Sequence, residues 1–304
     1  MNNLPLARKY RPSSFGEMFG NVNELKALEK TVQEKRVTTF LLYGDRGCGK
    51  STASRIIAKE LGAGLGLREM NISHTTGVDA ARQMIDDCRY AAPDGKPTVI
   101  ILNEIQGASK AFQQAILEIL EEPPKNTYFI LCTTNPEKLL KPVKSRCSQF
   151  RFSPLSLIIG RRFIKSILKK ENQELDKEII NGILKATEFI PREILTLLEK
   201  VLKVDENKRA KIIENYIVSD ASEEVNTLCK LLLKRENWKI IAKVVNSIRE
   251  DPETVRRKIL GYMSVVLLRT GKRQAAVVME CFRDNFFETG KSGLVLACYS
   301  SICD

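Results

Sequence analysis

The run GDRGCGKS, Gly44 to Ser51, fits the spacing G-x-x-x-x-G-K-[ST]. Glycines at Gly44, Gly47 and Gly49 let backbone N–H groups curl around phosphate oxygens. Lys50 sets a point charge on the outer phosphates, and the Ser51 hydroxyl can ligate magnesium. Thr52 follows in the same ATP-binding run, and Cys48 occupies a variable position of the loop with no separate role. A second chemical edge lies in VIILNEIQ, Val99 to Gln106, where four apolar residues run into Asn103 and Glu104. In a nucleotide-hydrolysing fold such a strand ends in two carboxylates. One holds the magnesium, and the other orients or deprotonates the attacking water. Glu104 is placed for the second task. Asn103 stands where the first carboxylate is expected. Its amide oxygen can accept a hydrogen bond from a magnesium-bound water but brings no charge. Loss of such a partner typically costs ~10–100-fold in metal affinity or activity. The expectation is an ATPase using ATP and Mg2+ at a lowered rate, or a subunit that holds nucleotide without turning it over.

This chemistry needs a strand before the loop and a helix behind it. TTFLLYG, Thr38 to Gly44, is β-branched, aromatic and stopped by glycine, so it reads as the strand. Lys50 to Leu61 reads as the helix, whose positive end points at the anion. Further helices are expected at Glu24 to Lys35, Asp79 to Tyr90 and Lys110 to Leu120, the last ended by the prolines of EEPP. Strands are expected at LREMNIS, at Val99 to Leu102, at TYFILCTT and at SQFRF. Strands alternating with helices predict an α/β fold with a parallel, doubly wound sheet up to about Phe152. Residues 1–20 read as a polar arm. Beyond Pro154 the periodicity is helical over 157–170, 176–187, 191–203 and most of 221–304, with breaks near Glu236, Asp251, Gly271 and Gly290.

A chain of 304 residues exceeds one comfortable core, so two or three domains are expected. No apolar run approaches the ~20 residues of a membrane span, and the first residues lack the form of a signal peptide. The eight cysteines form no C-x-x-C pair, which argues against a zinc ribbon and fits reduced core residues of a cytosolic chain. Lys and Arg total 49 against 37 Asp and Glu, a net charge of +12. That surplus is either a solvated basic surface or a footprint for nucleic acid. The single histidine, His74, falls in a polar loop. Trp238 falls in an apolar helical pattern and reads as core rather than a base-stacking platform.

The segments ARKYRPSSFGEMFGN, LYGDRGCGKST, TTGVDAARQMIDDCRYAAPDGK, ILNEIQGASKAFQQAILEILEEPP, CTTNPEKLLKPVKSRCSQFRF and IPREILTLLEK occur in this order. Over about residues 7–200 they resemble clamp-loader ATPases, AAA+ proteins of the replication factor C small-subunit and bacterial DNA polymerase III gamma/tau type. The resemblance implies an AAA+ P-loop NTPase domain over 1–153, a helical lid over 154–204 and an all-helical collar for oligomerisation over 205–304. It implies that Tyr10, Arg11 and Pro12 pack on adenine and that Thr134 senses the γ-phosphate. Arg146, in SRC, is then the arginine finger that completes a neighbouring subunit's site. Arg192 is a second sensor, although its flanks depart from the family's glycine-serine pattern. Arg82, Ser109 and Lys110 would follow the DNA phosphate backbone, and Met84 to Tyr90 would turn toward the clamp. The implied partners are a sliding clamp, primer–template DNA and other loader subunits in a five-subunit ring of one chain or several. The implied function is ATP-dependent loading of the clamp during replication, in a bacterial or phage-infected cytoplasm or a eukaryotic nucleus. The bacterial type carries a four-cysteine zinc insertion after the phosphate-loop helix, whereas KELGAGLGLREMNIS has no cysteine, so no zinc is expected. Two alternatives stay open: a hydrolysis-impaired structural subunit, and another DNA-acting AAA+ motor such as a branch-migration enzyme.

Overall fold

The computed structural model describes residues 4–72, 77–88, 92–219 and 223–303. The chain divides into two compact units, residues 1–174 with 188–196, and residues 175–187 with 197–304. The first unit contains α1 (Leu6–Lys9), α2 (Val22–Glu34), β1 (Thr39–Gly44), α3 (Lys50–Glu60), β2 (Leu67–Asn71), α4 (Val78–Cys88) and β3 (Thr98–Asn103). It continues with α5 (Lys110–Ala115), α6 (Leu117–Glu121), β4 (Thr127–Thr133), α7 (Lys141–Ser145), β5 (Ser148–Phe152) and α8 (Leu157–Glu171). The five strands form one sheet in the order β2-β3-β4-β1-β5, and every pairing is parallel. In such sheets ligands bind beyond the carboxyl ends of the strands. The loops leaving β1, β3 and β4 all start from that edge.

Side-chain alternation in the strands builds two cores, one on each face of the sheet. Phe40, Leu42, Ile101 and Ile130 pack with α2 and α3, through Leu28 and Ile57. Leu41, Ile100, Leu102, Phe129 and Leu131 face the other way, onto α4 and α5, through Met84 and Phe112. Strands buried on both faces read as near-continuous apolar runs, which is why VIIL and FIL were legible as strands. Burial of each such side chain is worth ~1.5–3 kcal/mol, far more than the exposed ion pairs around the rim.

The structure departs from the sequence expectation in several details. The run Lys110 to Leu120 is two short helices, interrupted at Ile116, which is β-branched and fully buried. The arm is not simply polar: α1 and a 3-10 turn at Phe15–Glu17 bury Leu6 and Phe15. A helix at 206–219 lies outside the periodic stretches expected individually, although within the expected all-helical region.

α10 (Pro191–Leu202) begins in the first unit and ends in the second. The second unit also holds α9 (Lys177–Ala186), α11 (Glu206–Ser219), α12 (Glu223–Lys234), α13 (Trp238–Ser247), α14 (Pro252–Thr270), α15 (Arg273–Cys281) and α16 (Gly290–Cys303). α14 shows how sequence sets these boundaries. The Asp251 carboxylate caps it by accepting from Thr254 N–H at 3.0 Å, Pro252 starts it, and Gly271 ends it at φ +62. The expected break near Gly290 is the loop spanning 282–289, and Gly290 itself opens α16. Val225, Leu228, Ile259 and Phe282 form part of its core, and Trp238 packs edge-on against Tyr299 with ring centroids 5.2 Å apart. All eight cysteines are free, six of them buried; Cys303 is exposed, unlike the core role expected of it. Among the described residues no helix is long and apolar enough to cross a membrane.

One carboxylate ties this bundle together. The Glu253 side chain is only 6% exposed. It accepts from Arg256 Nε at 2.8 Å, from Arg257 Nε at 3.2 Å and from Phe286 N–H at 2.8 Å. The Arg256 hydrogen bond leads in holding its pKa down, to about 2 from an ordinary 4.5. A depressed carboxyl contributes stability that is present above about pH 4.5 and lost as pH falls toward about 2. In acid unfolding followed by circular dichroism, Glu253→Gln is expected to be destabilised most above pH 5. The gap to the unaltered chain should close by about pH 2; parallel curves would rule this account out.

Candidate nucleotide site at the carboxyl edge of the sheet

The loop between β1 and α3 has a shape that two glycines enforce. Gly44 sits at φ +133, and a Cβ there would fall 1.9 Å from the Phe152 carbonyl oxygen on β5. Gly47 sits at φ +84, where a Cβ would meet Ile190 Cγ2 at 2.7 Å. Lys50 opens α3 and is 7% exposed. Its Nζ donates to the carbonyls of Gly44 at 2.7 Å and Asp45 at 2.9 Å. Burial pulls its pKa down, while nearby Cys132, Cys48, Glu104 and Asp45 oppose that. The two thiols are themselves pushed up to about 12 by burial, so neither carries charge at neutral pH. Gly49 and Thr52 line a cavity beside this loop.

Asn103 ends β3. Its Oδ1 accepts from Ser51 Oγ at 3.1 Å, and its Nδ2 donates to Glu69 Oε1 on β2 at 2.8 Å. Glu69 also receives a two-pronged bond from Arg55 on α3, with Nε and Nη2 each at 2.9 Å. Ser51 and Asn103 thus present two neutral hard oxygens side by side, the donor type magnesium takes, largely through water. Together with the buried ammonium and the glycine-exposed backbone, these residues fit ATP and magnesium.

Glu104 adopts a left-handed backbone, φ +55 and ψ +41, which costs a non-glycine residue ~1–2 kcal/mol. Its carboxylate accepts from Gln106 Nε2. The same Nε2 donates to Thr134 Oγ1 at 3.1 Å, and Gln106 Oε1 accepts from Thr133 Oγ1 at 2.7 Å. Glu104 and Thr134 are therefore brought together through Gln106, a residue in the quoted strand motif whose role was not read from the sequence. Gln113, 2% exposed, was missed as well. It accepts from Leu140 N–H at 2.8 Å and donates to the carbonyls of Ala108 and Lys138, joining α5 to the segment after β4.

A cavity of about 370 Å³ opens beside the loop, lined by Tyr10, Arg11, Pro12, Lys170 and Arg192 among others. Tyr10 Oη donates to Glu171 at 2.5 Å, and Lys9 Nζ reaches the same carboxylate at 2.7 Å. Lys9 and Lys170 sit over the Tyr10 ring, 5.3 and 5.4 Å from its centroid. Arg192 N–H donates to the Gly47 carbonyl at 3.4 Å. The Arg11 pKa is lowered by burial first, then by Arg55, Arg192 and Arg8. Guanidinium groups converging in this way suit a polyanion.

Arg146 does not line this cavity. It closes α7, donates to the Glu121 carboxylate through Nε at 2.9 Å and also through Nη2, and bonds the Pro142 carbonyl at 3.1 Å. Arg82 is exposed on α4, 3.8 Å from Asp79. Ser109 caps α5, its hydroxyl accepting from Phe112 N–H at 3.0 Å, and Lys110 beside it is exposed. Met84 and Cys88 are buried in the core. The rest of the segment proposed to face the clamp, from 89, and His74 lie outside the described residues.

Residues 67–156 match the family model described as DNA polymerase III, delta subunit. The chain is 29% identical over 265 residues to DNA polymerase III subunit gamma of Buchnera aphidicola subsp. Schizaphis graminum, covering 79% of this chain and 73% of that protein. It is 30% identical over 234 residues to the replication factor C small subunit of Methanococcus maripaludis, covering 75% of this chain and 74% of the relative. Among solved structures it resembles the Thermotoga maritima RuvB Holliday junction branch migration motor, with a TM-score of 0.60. That likeness, at 18% identity over 78% of this chain and 85% of RuvB, speaks for the AAA+ fold alone. Strand order, phosphate loop and sequence identity agree, and the chain belongs to the AAA+ clamp-loader family of the replication factor C small-subunit and DNA polymerase III gamma type.

Proposed function

We propose that this chain is an ATPase subunit of a clamp loader, which places a ring-shaped sliding clamp on primer–template DNA at the expense of ATP. The observation that carries the reading is the meeting of Lys50, Ser51, Asn103, Glu104 and Thr134 at the carboxyl ends of three neighbouring strands. In this reading Lys50 neutralises the outer phosphates, and Ser51 with Asn103 holds magnesium through water. Bound magnesium would neutralise charge on the β- and γ-phosphate oxygens. Glu104 orients and deprotonates the attacking water, and Thr134, tied to it through Gln106, registers the γ-phosphate. Tyr10, Arg11 and Pro12 hold the base, and Arg192 reaches the phosphates.

Arg146 serves a neighbouring subunit's site in a five-subunit ring, since in its own chain it is bonded to Glu121 outside the cavity. Arg82, Ser109 and Lys110 supply sequence-independent contacts to DNA phosphates. Nucleotide binding favours the conformation that grips clamp and DNA, and hydrolysis removes that bias. The uncharged Asn103 favours a second reading, a subunit that holds ATP while its partners hydrolyse it.

Steady-state ATPase rates with cognate clamp and primer–template DNA, separately and together, discriminate the two. Synergistic stimulation, lowered ~10²–10⁴-fold by Glu104→Gln with ATP binding retained, is expected for the working enzyme. Tight ATP binding with a flat rate points to the second reading. Arg146→Ala is expected to lower stimulated turnover ~10³-fold or more while ATP affinity stays unchanged. A comparable fall in ATP affinity would put Arg146 in its own chain's site instead. Lys110→Ala should weaken DNA binding on every sequence and reduce the salt slope of log affinity by about 1.

A further inference from the structure

Ser51 and Arg55 lie four residues apart on α3 and so share a face of that helix. Glu69 on β2 and Asn103 on β3 complete a circuit with them. In the parallel register Glu69 lies opposite Ile101, and Asn71 opposite Asn103, so Glu69 reaches diagonally to Asn103. Ile101 belongs to the core under α3, which places all four side chains on one face of the sheet. The circuit runs from Arg55 to the Glu69 carboxylate, from that carboxylate to the Asn103 NH2 group, and from the Asn103 oxygen to the Ser51 hydroxyl.

The circuit has one consistent polarity. An ionised carboxylate only accepts hydrogen bonds, so the Asn103 end that faces Glu69 is NH2 and the end that faces Ser51 is oxygen. A carboxylate at this position would have two equivalent ends and need no such instruction. An amide has a right end and a wrong end, because an NH2 group turned to the metal edge would repel the cation. The Arg55–Glu69 pair is 43% and 30% exposed on its two side chains, and surface pairs of that kind are worth ~0–1 kcal/mol. Stability is a weak reason for such a two-pronged pair, and orientation of Asn103 is a stronger one.

We propose that Glu69, clamped by Arg55, is a positioning residue for magnesium-bound nucleotide, fixing which end of the Asn103 amide faces the metal edge. The proposal rests on the nucleotide reading of the site and extends it to two residues outside the phosphate loop. Glu69→Gln can donate to Asn103 Oδ1 and so permits the flipped amide.

The test is a double-substitution cycle: the unaltered chain, Glu69→Gln, Asn103→Asp and the pair together. Each is titrated with the fluorescent analogue N-methylanthraniloyl-ATP, once with magnesium and once with EDTA, and folding is checked by thermal melting. Glu69→Gln alone should weaken the magnesium-dependent affinity ~10-fold and leave the EDTA affinity within about twofold. In the Asn103→Asp background the same change should cost less than about twofold. Equal losses in both backgrounds, or no loss in either, overturn the proposal while leaving the nucleotide site standing. Failure of the unaltered chain to bind the analogue at all overturns both. If Glu69→Gln does not fold, Arg55→Lys, which keeps the charge but not the two-pronged geometry, is judged by the same pattern.

Discussion

Lys50 keeps a positive charge where 7% of the residue meets solvent, and desolvating an ammonium is costly unless hydrogen bonds replace the lost water. Cys48 and Cys132 beside it are neutral thiols, so among its close neighbours only the Glu104 and Asp45 carboxylates favour the charge. The replacement comes from the backbone carbonyls of Gly44 and Asp45. Those carbonyls point at Lys50 only if the chain leaves β1 with φ +133 at Gly44, pressed against Phe152 of β5. The loop's form, the pairing of β1 with β5 and the start of α3 therefore depend on one another. Disturbing any of them leaves a buried cation without partners.

The adjacent carboxyl ends answer to the same edge by different means. β3 is followed at once by a strained residue, Glu104, whose side chain is tied through Gln106 to Thr133 and Thr134 at the end of β4. A shift of β3 against β4 is thereby felt at both side chains. Backbone strain of this kind persists only where surrounding bonds over-determine it.

The parts legible in the sequence were those written within a few residues of one another. Gly44 to Ser51 is a local motif, and strands buried on both faces announce themselves as apolar runs. The collar helices declared themselves through apolar periodicity and the breaks near Asp251 and Gly271. The interruption at Ile116 was not legible, because tertiary packing overrode a continuous helical pattern. Glu69, Gln106 and Glu121 were not legible as site residues for a different reason. Their roles come from partners 34, 28 and 25 residues away, across strand registers and chain turns that no local spacing encodes. Asn103 read alone as a lost charge; beside Glu69 it is one member of a polar chain whose direction is set.

Glu121 holds Arg146 in a pair that is 60% exposed on one side chain and 29% on the other. At that exposure the bond is worth no more than ~1 kcal/mol, about a fivefold bias in an equilibrium. On the proposed reading, then, the guanidinium does not wait bare for the neighbouring subunit. It exchanges a carboxylate for a phosphate, one anion for another. An exchange of that kind is reversible by design: the contact between subunits can be made and withdrawn once per turnover without either state trapping the ring.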